Sequence, residues 1–300
     1  MATTIWFQEL FGQWGCLIAL ALALIINLPI FIWARLKHHL TLWGSIVAGF
    51  FGISYWLINP VFYLGLFTFF ISSSFLTRYH KSVKEPFLDK FEKGGERDAS
   101  QVLANGLAGF LFIVGYLLTI LFSNNFLISN AFIYGFIAAI GTVNADTWAT
   151  EIGIVSKDQP YWILNLKKKV ERGTSGGVSA KGTAAAFLGS LVIGSLILLV
   201  ESFWHNPIHS ESSWQLLLFI AVAIVCGFLG SIIDSFFGAT IQGFFECTVC
   251  QKGTEKKIHC SQPTKLIRGS KNFRNDHVNF WSSFIAGLLA FGFGCFAYLL

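Results

Sequence analysis

Three carboxylates interrupt stretches that otherwise carry no charge: Asp146 and Glu151 within 141–153, and Asp234 in the run leading to Gln242. The other thirteen of the sixteen acidic residues fall in polar stretches or at their edges. An acid inside an apolar segment is costly to keep and marks a site unless a neighbour satisfies it. Three such oxygen ligands suit a hard divalent cation such as Mg²⁺. At about 100° per residue, Asp146 shares a helix face with Thr150, whereas Asn144, Thr147 and Glu151 share another about 140° away. Either the helix unwinds near Gly153 or the two acids have different jobs. Asp234 lies on a cleaner stripe, Gly227, Ser231, Asp234, Ser235, Gly238 and Gln242. The plain alternative for that stripe is a small-residue packing seam whose carboxyl bonds a neighbouring helix. Gln101 and Asn105, followed by Ala108 and Gly115, repeat the pattern in another apolar run.

Two further clusters have chemical spacing. Arg172-Gly173-Thr174-Ser175-Gly176-Gly177 leads into an apolar helix expected from about 176, with Lys167 to Lys169 before it and Lys181 after. A glycine-rich turn entering a helix N-terminus presents amides to an anion. The spacing is not that of a Walker A loop, and the bland alternative is a flexible link to a Gly182-Ala186-Gly189 packing seam. Cys247-x2-Cys250, followed by His259-Cys260, has the spacing of a structural zinc site. Free thiols are the competing reading, and the adjacency of His259 and Cys260 leaves open whether both reach one ion. Cys16, Cys226 and Cys295 lie in apolar runs and read as packing residues.

The elements that must position these groups follow from composition. Hydrophobic residues make up 54% of the chain and charged residues 12%, against roughly 25% charged in soluble domains. A soluble enzyme, a disordered chain and a secreted disulfide scaffold are excluded. Spans need about 20 apolar residues each, and eight runs qualify, at about 14–34, 41–58, 61–77, 99–122, 126–152, 176–200, 214–243 and 278–300. Asn59-Pro60 divides the second from the third. The predicted fold is all-α, a polytopic integral membrane helix bundle forming a single domain over 1–300, with a cytoplasmic loop at 244–277.

All 21 Lys and Arg residues fall in the loops after the first, third, fifth and seventh runs, two, six, six and seven in turn. Loops rich in Lys and Arg stay cytoplasmic, so both termini are expected outside and the three acids near the cytoplasmic face. Trp14 and Trp33 bracket the first run and Trp204 and Trp214 an outer loop, as interfacial anchors. The flank Met1 to Gln13 has no basic residue, and the run behind it is too long for a removable signal. The +5 charge needs no nucleic-acid partner. Glu85-Pro86-Phe87-Leu88-Asp89-Lys90-Phe91 reads as a short amphipathic helix on the membrane surface, or as a lid over a lipid site.

The segments KGGERDASQVLANG (93–106), NADTWATEIG (144–153), GTSGGVSAKGT (173–183) and GSIIDSFFGATIQ (230–242) together resemble the transmembrane protein 19 family. The resemblance covers roughly residues 75–300, and the family includes the plant phytyl-phosphate kinase. It implies a membrane-embedded, nucleotide-dependent kinase of an isoprenoid alcohol phosphate, with CTP the favoured donor. Asp146, Glu151 and Asp234 would hold Mg²⁺. Gly173, Thr174, Ser175, Gly176 and Gly177, with Lys169, Arg172 and Lys181, would hold the nucleoside triphosphate. Asn105, Asn144, Ser235 and Gln242 are further polar candidates, and the small-residue seams of the sixth and seventh spans would admit the lipid tail. The cysteine cluster is not part of the family's plant and animal pattern. The expected location is the plasma membrane of a microbe, with the site toward the cytoplasm. The rival reading is a carrier for ions or small metabolites using the same acids. Carriers show inverted repeats and broken helices, and no such repeat stands out.

Overall fold

The computed structural model of the protein describes residues 11–93, 95–123, 125–204 and 213–297. The flank 1–10, Gly94, and 205–212 of the loop between Trp204 and Trp214 lie outside them. Eight apolar helices organise the described chain: α1 Gly15–Leu36, α2 Leu42–Ile58, α3 Pro60–Arg78, α4 Ala99–Phe122, α5 Phe126–Val155, α6 Ala180–Trp204, α7 Ser213–Thr240 and α8 Asn275–Ala297. Seven are long and apolar enough to cross a bilayer. The shorter α2 has 17 residues and rises about 25 Å. This is the polytopic bundle that the apolar runs predict.

Local signals explain where the helices begin. The Asn59 side chain accepts the Val61 amide at 2.9 Å and Pro60 fills the first helical position, so α2 and α3 separate there. Asp98 and Gln101 form a reciprocal capping box at the start of α4. Asn125 caps α5 through the amides of Leu127 and Ile128. These caps satisfy amides that lipid could not.

Helix α5 is the axis of the fold. It packs against α3, α4, α6, α7 and α8 and is buried on nearly every side from Ser129 to Ala145. Asn144, a polar-site candidate, is spent inside this packing. Its Nδ2 donates to the Gly189 carbonyl at 2.8 Å and its Oδ1 accepts from Ser72 at 2.9 Å. It braces α3, α5 and α6. A Cβ at Gly189 would lie 3.0 Å from Ala145 Cα and 3.1 Å from the Asn144 carbonyl oxygen, so only glycine permits this backbone approach. Such close contacts replace the hydrophobic drive that helices lack in lipid. The α6 seam is closed against α5 at Gly189, whereas its start at Gly182 and Ala186 and the α7 stripe from Ser231 to Gln242 face a cavity at the loop end of the bundle.

The loops hold short strands that an all-α reading misses. Between α5 and α6, β1 Tyr161–Trp162 pairs antiparallel with β2 Asn165–Lys169 and β3 Gly177–Val178. Between α7 and α8, β4 Phe244–Glu246 pairs with β5 Gly253–Thr254 and β8 Lys265–Arg268, while β6 Ile258–His259 and β7 Gln262–Pro263 form a hairpin. The glycine-rich run thus ends in a strand, and α6 starts at Ala180 rather than near 176. Ser179 supplies the cap, accepting the Gly182 amide at 3.1 Å. All four basic loops meet at one end of the bundle. The Arg97 amide donates to the His39 carbonyl at 3.0 Å, and the Glu255 amide to that of Lys90 at 2.8 Å. Lys90 Nζ reaches Glu171 at 2.7 Å, and Arg268 Nη2 reaches the Ser175 carbonyl at 3.2 Å.

Candidate functional site

A cavity of about 960 Å³ opens between these loops and the helix ends beneath them. Asp146, Glu151, Asp234, Asn105, Ser235, Gln242, Arg172 and the whole run Gly173 to Gly177 line it. Lys169 and Lys181 do not. Lys169 lies on exposed β2 with its ammonium 5.9 Å from the Tyr161 ring centre. Lys181 pairs with Asp158 at 3.4 Å, both side chains more than 60% exposed. Both residues belong to the solvated surface, a correction to the expected nucleotide set.

Helices α5 and α7 bring Asp146 and Asp234 together, their carboxyls within hydrogen-bonding reach of each other. Ser282 Oγ donates to Asp234 Oδ2 at 2.9 Å. Two carboxyls in contact cannot both carry their charge freely; a shared proton or a cation between them relieves the repulsion. Glu151, on the other face of α5, has a different environment. It accepts from Thr77 Oγ1 at 2.7 Å and from Lys84 Nζ at 2.5 Å, and Lys84 also reaches the Leu76 carbonyl at 2.5 Å. Because α5 stays helical through Val155, it does not unwind near Gly153. The two acids instead take different partners, Asp234 for Asp146 and Thr77 with Lys84 for Glu151.

The glycine-rich run forms a wall rather than an open nest. Gly173 and Gly176 hold φ values of +77° and +84°, a region open to glycine. A Cβ at Gly176 would stand 2.5 Å from Ala239 Cβ, so the loop presses directly on the end of α7. The Thr174 and Gly177 amides donate to the Glu171 and Thr174 carbonyls at 3.2 and 2.9 Å. The run therefore offers an anion at most three of its five amides. Arg268 fastens it, bonding the Ser175 and Gly238 carbonyls from between the rings of Trp162 and Phe244, 4.4 and 4.8 Å away.

Several groups in the cavity wall escape sequence reasoning. Glu255 sits between Lys252 and Lys256 and reads as a solvated loop acid. Its carboxyl is turned inward, accepting Ser175 Oγ at 2.6 Å and Gln242 Nε2 at 2.9 Å. Lys93 bridges Asp276 at 2.6 Å and Asp98 at 2.9 Å, tying α8 to α4. Half-buried Arg97 donates to Ser73 at 3.0 Å. Asn279 Nδ2 donates to Asn105 Oδ1 at 3.0 Å, while Asn279 Oδ1 is buried without a partner. The cavity thus sets carboxyls in its depth against cations in its walls. The one signal available was partial: Lys93, Arg97 and Asn105 all fall in the first family-like segment.

Burial raises the Glu255 carboxyl above its ordinary range, outweighing the hydrogen bonds from Ser175 and Gln242. A raised acid favours the fold below its unfolded pKa of about 4.3. That contribution fades as pH rises through the folded value. Glu255→Gln should remove this dependence, so thermal melts of variant and wild type should diverge in the variant's favour from about pH 5 upward. Parallel pH profiles would show that the carboxyl is not strained by burial.

Away from the acids, Cys247, Cys250, His259 and Cys260 converge, with one ligand atom from each lying within 4.8 Å of the others. His259 Nδ1 faces Cys250 and Cys260 Sγ at 3.6 and 3.2 Å, and His259 Nε2 meets Asp89 Oδ2 at 2.6 Å. The Glu85–Lys90 segment is a 3-10 helix of six residues. It packs on other loops of the chain: Arg172 covers the Phe87 ring at 4.8 Å and the cysteine loop lies beside it.

Sequence comparisons agree with this architecture. The profile of a family described as integral membrane protein DUF92 matches residues 25–287. The chain is 33% identical to Protein PGR of Arabidopsis thaliana over 230 residues, 75% of this chain and 78% of that protein. It is 33% identical over 153 residues to an uncharacterized membrane protein of Methanocaldococcus jannaschii, 50% of this chain and 55% of the other. A similar protein of Synechocystis, also an uncharacterized membrane protein, is 29% identical over 201 residues, 65% and 72% of the two chains. No solved structure matches.

Proposed function

The chain belongs to the integral membrane protein DUF92 family, and from that premise we propose that it is a nucleotide-dependent kinase, with CTP the favoured donor, acting on an isoprenoid alcohol phosphate. The observation that carries this reading is the cavity: contacting carboxyls in its depth, Arg97 and Arg172 in its walls and the glycine-rich wall beside them. At about 960 Å³ it lies at the upper end of ordinary ligand sites, in keeping with two phosphorylated substrates. A crevice of about 70 Å³, lined by Phe31, Phe67 and Phe70 among others, shares Arg97 and Asn105 with it. The first carbons of an apolar tail placed there would leave its phosphate at the Arg97 guanidinium.

Asp146 and Asp234 fit a Mg²⁺ ion, because a cation could replace the proton they share and Asn279 Oδ1 is a spare buried oxygen on the same cavity. Glu151 fits less well, being already neutralised by Lys84. When bound, Mg²⁺ supplies charge neutralisation for the donor phosphates. A lipid monophosphate has a second pKa of about 6, so its oxygen is largely deprotonated near pH 7. That oxygen attacks the terminal phosphorus of the triphosphate. The bond to the bridging oxygen breaks, and the nucleoside diphosphate leaves with those electrons. No protein base is required, so Arg97 and Arg172 have the task of holding two mutually repelling phosphates in line.

The rival carrier needs a polar path across the bilayer. Below Asp146, α5 is packed on nearly all sides from Ala145 to Ser129, which favours chemistry at one face. By the positive-inside rule that face is cytoplasmic. Purified protein with Mg²⁺ and labelled CTP or ATP should convert farnesyl, geranylgeranyl or phytyl phosphate to the diphosphate. If no nucleotide either transfers phosphate or raises thermal stability, the kinase reading gives way to the carrier.

A further inference from the structure

We propose that Cys247, Cys250, His259 and Cys260 bind one structural Zn²⁺, and that this ion clasps the Glu85–Lys90 segment against the cavity rim. The convergence of all four ligand atoms within 4.8 Å answers whether the adjacent His259 and Cys260 can serve one ion. Around tetrahedral zinc, sulfur and nitrogen ligands stand roughly 3.5 Å apart. The 3.6 and 3.2 Å separations of His259 Nδ1 from Cys250 and Cys260 Sγ are close to that edge. The backbone is wrapped to suit. The Val249 and Cys250 amides point at Cys247 Sγ, at 3.4 and 3.5 Å. Gln251, Cys260 and Ser261 take left-handed φ values without glycine, a strain that persists where something holds the loop.

The independent observation is on the far side of the imidazole. With Nδ1 turned to the sulfurs, Nε2 meets Asp89 Oδ2 at 2.6 Å. A carboxylate behind a histidine fixes its tautomer and raises its basicity as a metal ligand. Asp89 belongs to a different loop, and that gives the ion its reach. Lys256 Nζ also holds Asp89, at 3.0 Å, while the Glu255 amide and Thr254 Oγ1 both donate to the Lys90 carbonyl, at 2.8 and 3.1 Å. Lys90 Nζ continues the chain to Glu171 and the Arg172 carbonyl at 2.7 and 3.1 Å. The ion would thereby set the position of the rim segment, of Glu255 and of the start of the glycine-rich wall. None of this depends on phosphoryl transfer.

Full-length protein purified in detergent should carry about one zinc per chain by elemental mass spectrometry, and Cys247→Ser with Cys250→Ser should carry none. Asp89→Asn keeps every ligand but alters the group behind His259, and should weaken zinc binding ten- to a hundredfold in competition with a chelator. Chelating zinc from the wild type should speed amide exchange in 85–93 and 246–262 while α5 stays protected, and returning Zn²⁺ should restore protection. A Cys250–Cys260 disulfide without metal, or iron in place of zinc, would overturn the site. Zinc affinity unchanged in Asp89→Asn, or rim exchange indifferent to the metal, would overturn the clasp.

Discussion

Asp146→Asn and Asp234→Asn are each expected to lower phosphoryl-transfer turnover at least about a hundredfold, equivalent to about 2.7 kcal/mol, in protein that still folds and inserts. Asparagine matches aspartate in size and keeps an oxygen for the Ser282 hydroxyl that now reaches Asp234 at 2.9 Å. What it removes is negative charge where two carboxyls meet. Without a cation the pair is held only by a shared proton, a bond that an amide can replace, so each Asn variant should melt no lower than wild type in metal-free buffer. With Mg²⁺ and nucleotide the order should reverse, since the wild type alone gains the linked stabilisation. Lys181→Ala is the control, because its partner is the exposed Asp158 outside the cavity, and it should leave turnover near wild type. Initial rates and melting curves with and without Mg²⁺ decide the matter. Asn variants that transfer phosphate normally would remove both acids from metal binding.

The parts of this molecule legible in its sequence were those written in periodic signals. Apolar runs located all eight helices, and Asn59-Pro60 divided α2 from α3 because capping and proline act on adjacent residues. The helical wheel separated Asp146 from Glu151, and they do take different partners. Long-range pairing carried no such signal. Glu255 looks solvated between two lysines, yet its bonds run to Ser175 and Gln242, 80 and 13 residues away. The strands around it have two to five residues, too few for an alternating pattern to register. Asn144 misled for the opposite reason: its place beside the acids was read correctly, but whether a buried amide serves a ligand or a neighbouring helix depends on Ser72 and Gly189.

Lys84→Met should be the most destabilising single change at the cavity wall, because it leaves Glu151 without its counter-charge. Removing one partner of a buried pair costs about 3–5 kcal/mol. The cavity keeps 17% of the Glu151 side chain exposed against 5% for Lys84, so water softens the penalty to about 2–3 kcal/mol. The melting temperature should fall by several degrees. Lys84→Met with Glu151→Leu should recover most of the loss, since a matched apolar pair often does as well as the ions it replaces. Thr77 would still donate to the Ser73 carbonyl at 2.9 Å, so the double variant strands no hydroxyl. This cycle also assigns Glu151. If its task is to hold Lys84, and through Lys84 the carbonyl of Leu76 at the end of α3, the double variant should keep Mg²⁺-dependent turnover within about tenfold of wild type. A loss matching that of Asp146→Asn, in a double variant as stable as wild type, would instead return Glu151 to the metal site, with Lys84 as the cation that occupies its carboxylate until the metal arrives.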